Sequence, residues 1–260
     1  MTPPGLPAEL LSRVEDAGLN ASAPPQQRWL DGWLVRFSPG KAQRARCINA
    51  VAAGRLPLDD KLAACAALYR QAGLLMLFRL TPFSQPPELD MRLDERGFQR
   101  IEDTRVMVCP VLSATAGRPL PAGLHAEAVD KEAYAHIIGE HRGTDAAGQQ
   151  AHAERLRHSP VPYRALVLRS DDGLVVAGGQ LALEGDLAGL YDVFTAPAWR
   201  NRGLSRWLCA QLLMQAAGEG AHTGYLQVDA GNAPAQAVYR RLGFVDAYGY
   251  HYRRAPPPAG

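Results

Sequence analysis

The hydrophobic and polar positions after residue 123 fall into short blocks that alternate between strand-like and helical spacing. Leu204, Leu208 and Leu212 recur on one face, which predicts a helix over 204–217. Asp171-Asp172-Gly173 separates two apolar runs and is typical of a hairpin turn. The blocks predict the order β-α-α-β-β-β-α-β-α-β, a mixed α/β sandwich around a central sheet. The predicted strands are 124–129, 163–169, 174–183, 187–194, 225–228 and 248–253, and the predicted helices are 130–141, 145–157, 204–217 and 234–242.

The first half of the chain repeats one feature of the second half. Both contain a strand-like run, a loop with proline, a short helix closed by Gly-Phe, and a further strand. Glycine just past a helix supplies a left-handed C-cap, and the following Phe packs back on the helix. The pattern favours a weak internal duplication, with two unrelated helix stops as the alternative. The matching segments are 74–80, 89–98 and 104–108 in the first half and 224–228, 235–244 and 248–253 in the second.

A segment rich in Pro, Gly, Ser and Thr separates the two halves and is typical of a linker. The length of 260 residues allows either one large domain or two. We therefore expect a first domain over 1–109, a linker over 110–123 and a second domain over 124–254, with a Pro-rich tail at 255–260.

Composition excludes several classes of function. The net charge of +2 leaves no global field to attract nucleic acid or an anionic membrane. The four cysteines are far apart and lack metal-ligand spacing, so neither a zinc site nor a disulfide framework is indicated. No apolar stretch approaches the ~20 residues that span a bilayer, and residues 1–27 do not have the pattern of a signal peptide. We expect a cytoplasmic protein with no metal, nucleic-acid partner or membrane partner.

The segment from Val193 to Ser205 carries the main chemical signal. An apolar strand ends at Pro197, an Arg200-x-x-Gly203 turn follows, and a helix begins at once. The first N–H groups of a helix lack partners and its dipole is positive there, so this turn is suited to bind phosphate. Gly203 lets a ligand approach the backbone closely because it has no Cβ.

A second motif lies downstream, at Asn232-x-x-Ala235-x-x-x-Tyr239-x-x-x-Gly243-Phe244. Together and in this order, the two motifs resemble those of the GNAT N-acetyltransferase superfamily. The resemblance covers residues 124–254 and implies a GNAT-like mixed central sheet flanked by helices. The first half resembles a degenerate repeat, so that the whole chain resembles tandem-GNAT proteins. Its nearest counterpart of the Arg-x-x-Gly turn, residues 44–51, lacks the glycine, so we expect the first half to bind no coenzyme A.

The resemblance implies acetyl-CoA as the acyl donor. Backbone groups of the strand would bind the pantetheine amides, and the turn would bind the pyrophosphate. Asn232 is expected to contact the cofactor arm, to cap the next helix, or to do both. The family usually has Gly or Ala where this chain has Ser205, and serine is small enough to fit. The implied donor-binding residues are Val193, Phe194, Thr195, Arg200, Asn201, Arg202, Gly203, Leu204, Ser205, Asn232 and Ala235.

Tyr239 matches the position of the family's general-acid tyrosine, which would protonate the departing thiolate. A half-buried core tyrosine is the alternative. Asp192 is the only carboxylate in the strand before the turn and is the candidate base, although strand alternation directs it away from Tyr191 and Val193 unless a bulge intervenes. Cys209, in mid-helix without a histidine partner, is not expected to be a nucleophile.

These residues predict transfer of an acetyl group to a small-molecule or peptide amine by direct attack in a ternary complex. The alternative is a non-catalytic acyl-CoA sensor or scaffold. Glu140 and His141 either line the acceptor pocket or form a polar helix end. The first half is expected to cover the sheet or to shape the acceptor pocket. Its candidate residues, with ordinary core packing as the alternative, are Trp29, Trp33, Arg36 and Phe37.

Overall fold

The computed structural model describes residues 5–38, 42–112 and 119–257, so part of the predicted linker, 113–118, lies outside the described residues. The described chain forms one mixed sheet with helices on both faces, which confirms the predicted fold class. The strands are Gln27–Leu30 (β1), Trp33–Arg36 (β2), Ile48–Asn49 (β3), Leu77–Leu80 (β4), Gln99–Cys109 (β5), Leu124–Val129 (β6), Tyr163–Ser170 (β7), Val175–Glu184 (β8), Leu187–Thr195 (β9), Thr223–Asp229 (β10) and Val245–Arg254 (β11). The helices are Ala8–Ala21 (α1), Leu58–Gln71 (α2), Leu89–Asp94 (α3), Lys131–His141 (α4), Ala146–Arg157 (α5), Leu204–Gly218 (α6) and Ala233–Arg240 (α7).

The two halves of the chain, up to Cys109 and from Leu124 onward, exchange strands at the centre of the sheet. The strand order is β1-β2-β3-β4-β11-β5-β10-β9-β8-β7-β6. The last strand of the first half, β5, pairs antiparallel with both β10 and β11. The last strand of the second half, β11, pairs antiparallel with both β4 and β5. The units β4-α3-β5 and β10-α7-β11 therefore occupy equivalent places, at the segments where the sequence pattern repeats.

Apolar residues on the two faces of the sheet form separate cores. On one face, Leu11 and Val14 of α1 and Leu156 of α5 belong to the same buried cluster as Tyr191 of β9. On the other face, the leucine stripe of α6 packs on β8 and β9. Within the described residues, no helix is both long and apolar enough to cross a bilayer.

The aromatic residues considered for the acceptor pocket mostly lie in a separate core of the first half. Trp33 is fully buried there, and its ring meets that of Phe78 edge-on at 5.3 Å between centroids. Arg36 is also buried and donates to the carbonyl of Leu19 at 2.7 Å. Phe37 packs against the same core, whereas Trp29 is exposed. The core alternative therefore describes Trp33, Arg36 and Phe37.

Strands β9 and β10 part at a defined point. Their parallel pairing runs from Leu187 with Thr223 to Leu190 with Leu226 and ends there. Past Leu190, no described strand pairs with the side of β9 that faces β10. The pairing of β9 with β8 continues, with a register shift opposite Gly179 where Asp192 has φ +52°. This bulge changes the direction of the chain just before the turn at 196–203 that connects β9 to α6.

Candidate active site

One large cavity of about 1570 Å³ lies between the end of β9 and the N-termini of α6 and α7. Both sequence motifs contribute to its wall. All of the predicted donor-binding residues and Tyr239 are among its lining residues, whereas Asp192 is not. The fold thus brings together two motifs that are separated in sequence by a helix and a strand.

The turn before α6 presents to this cavity backbone amides that have no hydrogen-bond partner among the described residues. Asn201 and Gly203 have positive φ values of 62° and 77°, and the intervening chain curves between them. Helix α6 begins at Leu204 without a side-chain cap, so its first N–H groups have no side-chain acceptor. Alternating backbone conformations of this kind form a concave cluster of amides that binds anions. The geometry is that of a diphosphate site at a helix N-terminus.

The two arginines of the turn are exposed and flank the amide cluster. Arg200 donates from Nε to the carbonyl of Thr195 at 3.3 Å. The guanidinium of Arg202 lies over the ring of Trp199, 4.7 Å from its centroid. Both contacts orient the cations beside the turn and leave other guanidinium donors free for a phosphate.

The open edge of β9 forms the next part of the wall. Because β10 has already separated, no described strand pairs with Val193 to Thr195 on that side, although the carbonyl of Thr195 accepts from Arg200. The hydroxyl oxygen of Thr195 is buried and has no hydrogen-bond partner among the described residues. An extended amide-containing ligand would pair with such an edge as an added strand does, and would supply a partner for the hydroxyl. The residues present therefore fit the pantetheine arm of coenzyme A.

Helix α7 places two further candidates in the cavity. Asn232 is the N-cap, and its Oδ1 accepts from the backbone N–H of Ala235 at 3.2 Å, which leaves the amide nitrogen free. Tyr239 lies near the C-terminal end of α7 and is 9% exposed, and its ring centroid is 6.1 Å from that of Phe244. Burial raises the pKa of Tyr239, so its hydroxyl keeps its proton over the physiological range. Its hydroxyl has no hydrogen-bond partner in the described part of the chain.

Cys209 lies beneath this wall, in α6. Burial raises the pKa of its thiol to about 12, although a hydrogen bond with Ser205 lowers it. The thiolate that a covalent mechanism needs is therefore not formed near neutral pH.

Asp192 lies on the opposite face of the sheet from α6, in a network of polar side chains. Its carboxylate accepts from Nη1 of Arg142 at 2.9 Å and from Nε2 of Gln180 at 2.8 Å. His152 Nε2, buried and without a hydrogen bond in the described residues, lies 3.6 Å away. The hydroxyl of Tyr134 donates to the backbone carbonyl of Asp192 at 2.7 Å. The bulge thus turns Asp192 toward α4 and α5.

This network makes Asp192 a strong anion and a weak base. Burial raises the pKa of Asp192, but the surrounding cations, Arg142 first, lower it to about 2. Burial lowers the pKa of His152 to about 4 in spite of the attraction of Asp192, so the imidazole is neutral at pH 7. The role of Asp192 as a base stays a prediction, and the geometry favours a positioning role.

Sequence reasoning did not identify Arg142, Gln180 or His152, since each reaches the site from a different element. A signal was present for His141, which lines the main cavity with its ring 4.2 Å from that of Phe194. Glu140, its neighbour, is exposed and is not among the lining residues.

The equivalent turn in the first half precedes α2 and is filled by the chain's own carboxylate. Asp31 accepts from the backbone N–H of Arg55 at 2.8 Å and from that of Leu56 at 2.8 Å. Lys61 Nζ lies 3.4 Å from the same carboxylate. A Cβ on Gly54 would come within 2.2 Å of Asp31, so only glycine fits this approach. The backbone amides of this turn are thus already occupied by Asp31, whereas residues 44–51 contain a 3-10 turn and β3.

Comparisons with known proteins agree with this geometry. Residues 132–244 match the model of the acetyltransferase (GNAT) family. Mycothiol acetyltransferase of Clavibacter michiganensis subsp. michiganensis is 39% identical over 95 residues, which are 36% of this chain and 31% of that protein. The [ribosomal protein bS18]-alanine N-acetyltransferase of Salmonella typhimurium is 37% identical over 86 residues, which are 33% of this chain and 57% of that protein. The chain therefore matches less than two thirds of the length of either relative.

Solved structures extend the likeness of fold to nearly the whole chain. A GCN5-related N-acetyltransferase from Kribbella flavida has a TM-score of 0.68 and 19% identity, with 96% of each chain covered. A tandem GNAT protein from the clavulanic acid biosynthesis pathway has a TM-score of 0.60 and 16% identity, with 77% of this chain and 70% of that chain covered. At these identities the likeness concerns the fold alone. The chain therefore has the fold of these GNAT proteins, and its residues 132–244 match the model of the acetyltransferase (GNAT) family.

Proposed function

We propose that this protein transfers the acetyl group of acetyl-CoA to an amine. The main support for the proposal is that an amide-lined turn, an open strand edge and a protonated tyrosine all line the same cavity. These parts match, in order, the diphosphate, the two amides and the sulfur of the donor. The names of the two relatives, a mycothiol acetyltransferase and a ribosomal-protein alanine N-acetyltransferase, support acyl transfer to small-molecule or peptide amines.

The donor would be held mainly by the backbone. The N–H groups from Arg202 to Ser205 would bind the pyrophosphate, with Arg200 beside it. The free edge of Val193 to Thr195 would pair with the pantetheine amides. Because β9 is fixed by its pairing with β8 and by the bulge at Asp192, these groups are oriented before the donor binds. Acetyl-CoA itself supplies an activated thioester, and the protein supplies orientation and polar groups.

Tyr239 would assist the departure of the thiol. A thiol with a pKa near 8.5 leaves as an anion unless a donor is nearby. Because the pKa of Tyr239 is raised, its hydroxyl is a hydrogen-bond donor throughout the neutral range and is not lost to ionisation. It would stabilise negative charge on the sulfur as the carbon–sulfur bond breaks. It would then give its proton to the sulfur and take up another proton from solvent.

The weak base has a consequence for the acceptor. An amine with a pKa near 8, as in an α-amino group, loses its proton at pH 7.4 for under about 1 kcal/mol, whereas a lysine amine with a pKa near 10.4 requires about 4 kcal/mol. Asp192, with a pKa of about 2, would take up little of that proton. We therefore propose that the amine enters as the free base or loses its proton to water. Among acceptors that bind equally well, those with the lower amine pKa should react faster.

The test is release of free thiol from acetyl-CoA in the presence of a panel of amines. Ser205→Asp places a carboxylate among the amides of the turn. It should abolish thiol release without unfolding the protein, because an acidic residue suits a helix N-terminus. Gln215→Asp, which adds the same charge about 15 Å further along α6, is the matched control and should retain the activity.

Two results would contradict the proposal. If Ser205→Asp binds acetyl-CoA as tightly as the wild type in calorimetry, the turn is not the diphosphate site. If coenzyme A stabilises the protein against heat and no amine is acetylated, the protein is an acyl-CoA sensor and not a transferase.

A further inference from the structure

Arg44, from the first half, lies where β9 and β10 part. It belongs to a 3-10 turn, Gln43–Ala45, that precedes β3. Its Nη1 donates to Oε1 of Gln227 on β10 at 2.6 Å, and its guanidinium lies over the ring of Tyr191 on β9, 5.7 Å from the centroid. The last paired residues of the two strands are Leu190 and Leu226, so Arg44 contacts the first residue past the pairing on each strand.

The guanidinium is held firmly on the face of the sheet that is covered by α1 and α5. Gln227 Oε1 also accepts from the hydroxyl of Tyr250 at 2.8 Å, and a Cβ on Gly18 of α1 would lie 3.0 Å from Gln227 Nε2. The side chain of Gln227 therefore has little freedom, and neither has the cation that bonds to it. Such restraint lowers the entropy lost when a ligand binds.

Arg44 has no carboxylate partner among the described residues, although it is half-buried. The acid nearest to it in the electrostatic network, Asp192, is already paired with Arg142 at 2.9 Å. A second cation on this face, Arg155 of α5, likewise has no acidic partner there and donates to the carbonyl of Ala21 at 3.3 Å. The neutral His152 adds no charge at pH 7. Neither Arg44 nor Arg155 is therefore paired with a carboxylate among the described residues.

A guanidinium has five N–H donors in a planar fork that matches a carboxylate. In Arg44, one described hydrogen bond leaves most of these donors unused. Partly buried cations with spare donors are stabilised by an anion far more than exposed ones are, because water screens them less. The unused donors of Arg44 are thus suited to bind an anion at the point where β9 and β10 part.

We propose that Arg44 binds a carboxylate of the acceptor, and that the acceptor is an α-amino acid or a similarly compact amine with a carboxylate next to the reacting nitrogen. This inference rests on the proposed acetyl transfer. Tyr191, beneath Arg44, is two residues from Val193, which lines the donor cavity. Two strand residues span about 7 Å, the reach from a guanidinium across a bound carboxylate to an α-amine. The first half would then select the acceptor while the second half holds the donor.

The experiment compares amino acids with their carboxamides as acceptors. In the wild type, kcat/KM should be higher for each amino acid than for its carboxamide, although a larger fraction of the carboxamide has an unprotonated amine at neutral pH. In Arg44→Met, the ratio of acid to amide should fall by about 10- to 100-fold, chiefly through KM for the acid, because a charge-assisted pair is lost. Arg44→Lys should restore part of that ratio. Arg46→Met, in the segment just after the 3-10 turn, is the matched control and should keep the wild-type ratio.

Calorimetry with acetyl-CoA separates the failures. Undiminished donor binding by Arg44→Met shows that the variant is folded. An unchanged ratio of acid to amide in this variant, or a wild type that prefers the amides, would overturn the anion subsite. Acetyl-CoA binding without acetylation of any amino acid would also overturn it and would leave the donor site intact. Failure of the wild type to bind acetyl-CoA would remove the proposed function itself.

Discussion

Replacing Asp192 with asparagine tests whether this residue holds together its network with Arg142, Gln180 and His152 or acts as a base. The substitution keeps the size of the side chain and removes its charge. Asp192 is 16% exposed and accepts hydrogen bonds from Arg142 and Gln180, with His152 nearby. The asparagine would leave these partners facing a neutral group, and the strained bulge at φ +52° would lose part of the network that holds it.

The magnitude follows from the pKa. Its lowering from 3.8 to about 2 corresponds to about 2.5 kcal/mol of stability at neutral pH. Because the folded-state pKa is the lower one, this contribution is fully present above the unfolded value of 3.8. It is lost as the pH falls toward 2, and about half remains at pH 3. We therefore expect Asp192→Asn to lower Tm at pH 7 by about 5–10 °C.

The assay is urea unfolding of the wild type and Asp192→Asn at pH 7 and at pH 3. The difference in unfolding free energy should be about 2.5 kcal/mol at the higher pH and about half of that at the lower. Asp186→Asn is the matched control, because Asp186 pairs with Arg13 at the surface and such pairs contribute little.

Two outcomes would refute the reasoning. Equal stability of Asp192→Asn and the wild type at pH 7 would show that the carboxylate is not held by the network. A limb in the pH profile of kcat/KM between pH 5 and 8 that disappears in Asp192→Asn would show that Asp192 titrates as a base, with a pKa far above 2.

Three further predictions concern the donor site. Tyr239→Phe should lower kcat by about 10-fold or more and leave the calorimetric Kd for coenzyme A unchanged; equal kcat would exclude the hydroxyl from the reaction. Asn232→Ser and Asn232→Ala should both weaken acetyl-CoA binding, because both remove the side-chain amide nitrogen. Only the alanine variant should lose about 1 kcal/mol of unfolding free energy in urea, because serine keeps an N-cap acceptor. Titration calorimetry should give one acetyl-CoA per chain, because Asp31 occupies the amides of the other turn; a stoichiometry of two would contradict this.

Local patterns in the sequence predicted much of the second half. The helices α4 and α5 begin just after Asp130 and Asp145, whose carboxylates cap them, and such caps are visible in the sequence. The two motifs that line the large cavity were recognisable for a similar reason, since each is a continuous segment at the start of a helix. The apolar spacing of α6 likewise depends only on residues close in sequence.

The contacts of Arg44 and Asp192 were not predictable in the same way, because they join segments that are distant in sequence. Arg44 and Gln227 are 183 residues apart, and no periodic pattern connects them. The direction of Asp192 depends on one residue with φ +52°, which strand alternation does not include. The hydrogen bonds from the turn before α2 to Asp31 form only because the β1–β2 hairpin lies against Gly54. The sequence around either residue alone does not predict this contact.

The exchange of β5 and β11 makes the two halves a single cooperative unit. A fragment that starts at residue 124 would lack the strand that joins β10 to β11 and would expose two unsatisfied edges. During synthesis, β11 leaves the ribosome later than the other described strands. Until β11 inserts between β4 and β5, the backbone groups that these two strands direct toward it have no partner strand. Chaperone protection of this nascent sheet would determine how much native protein a cell obtains.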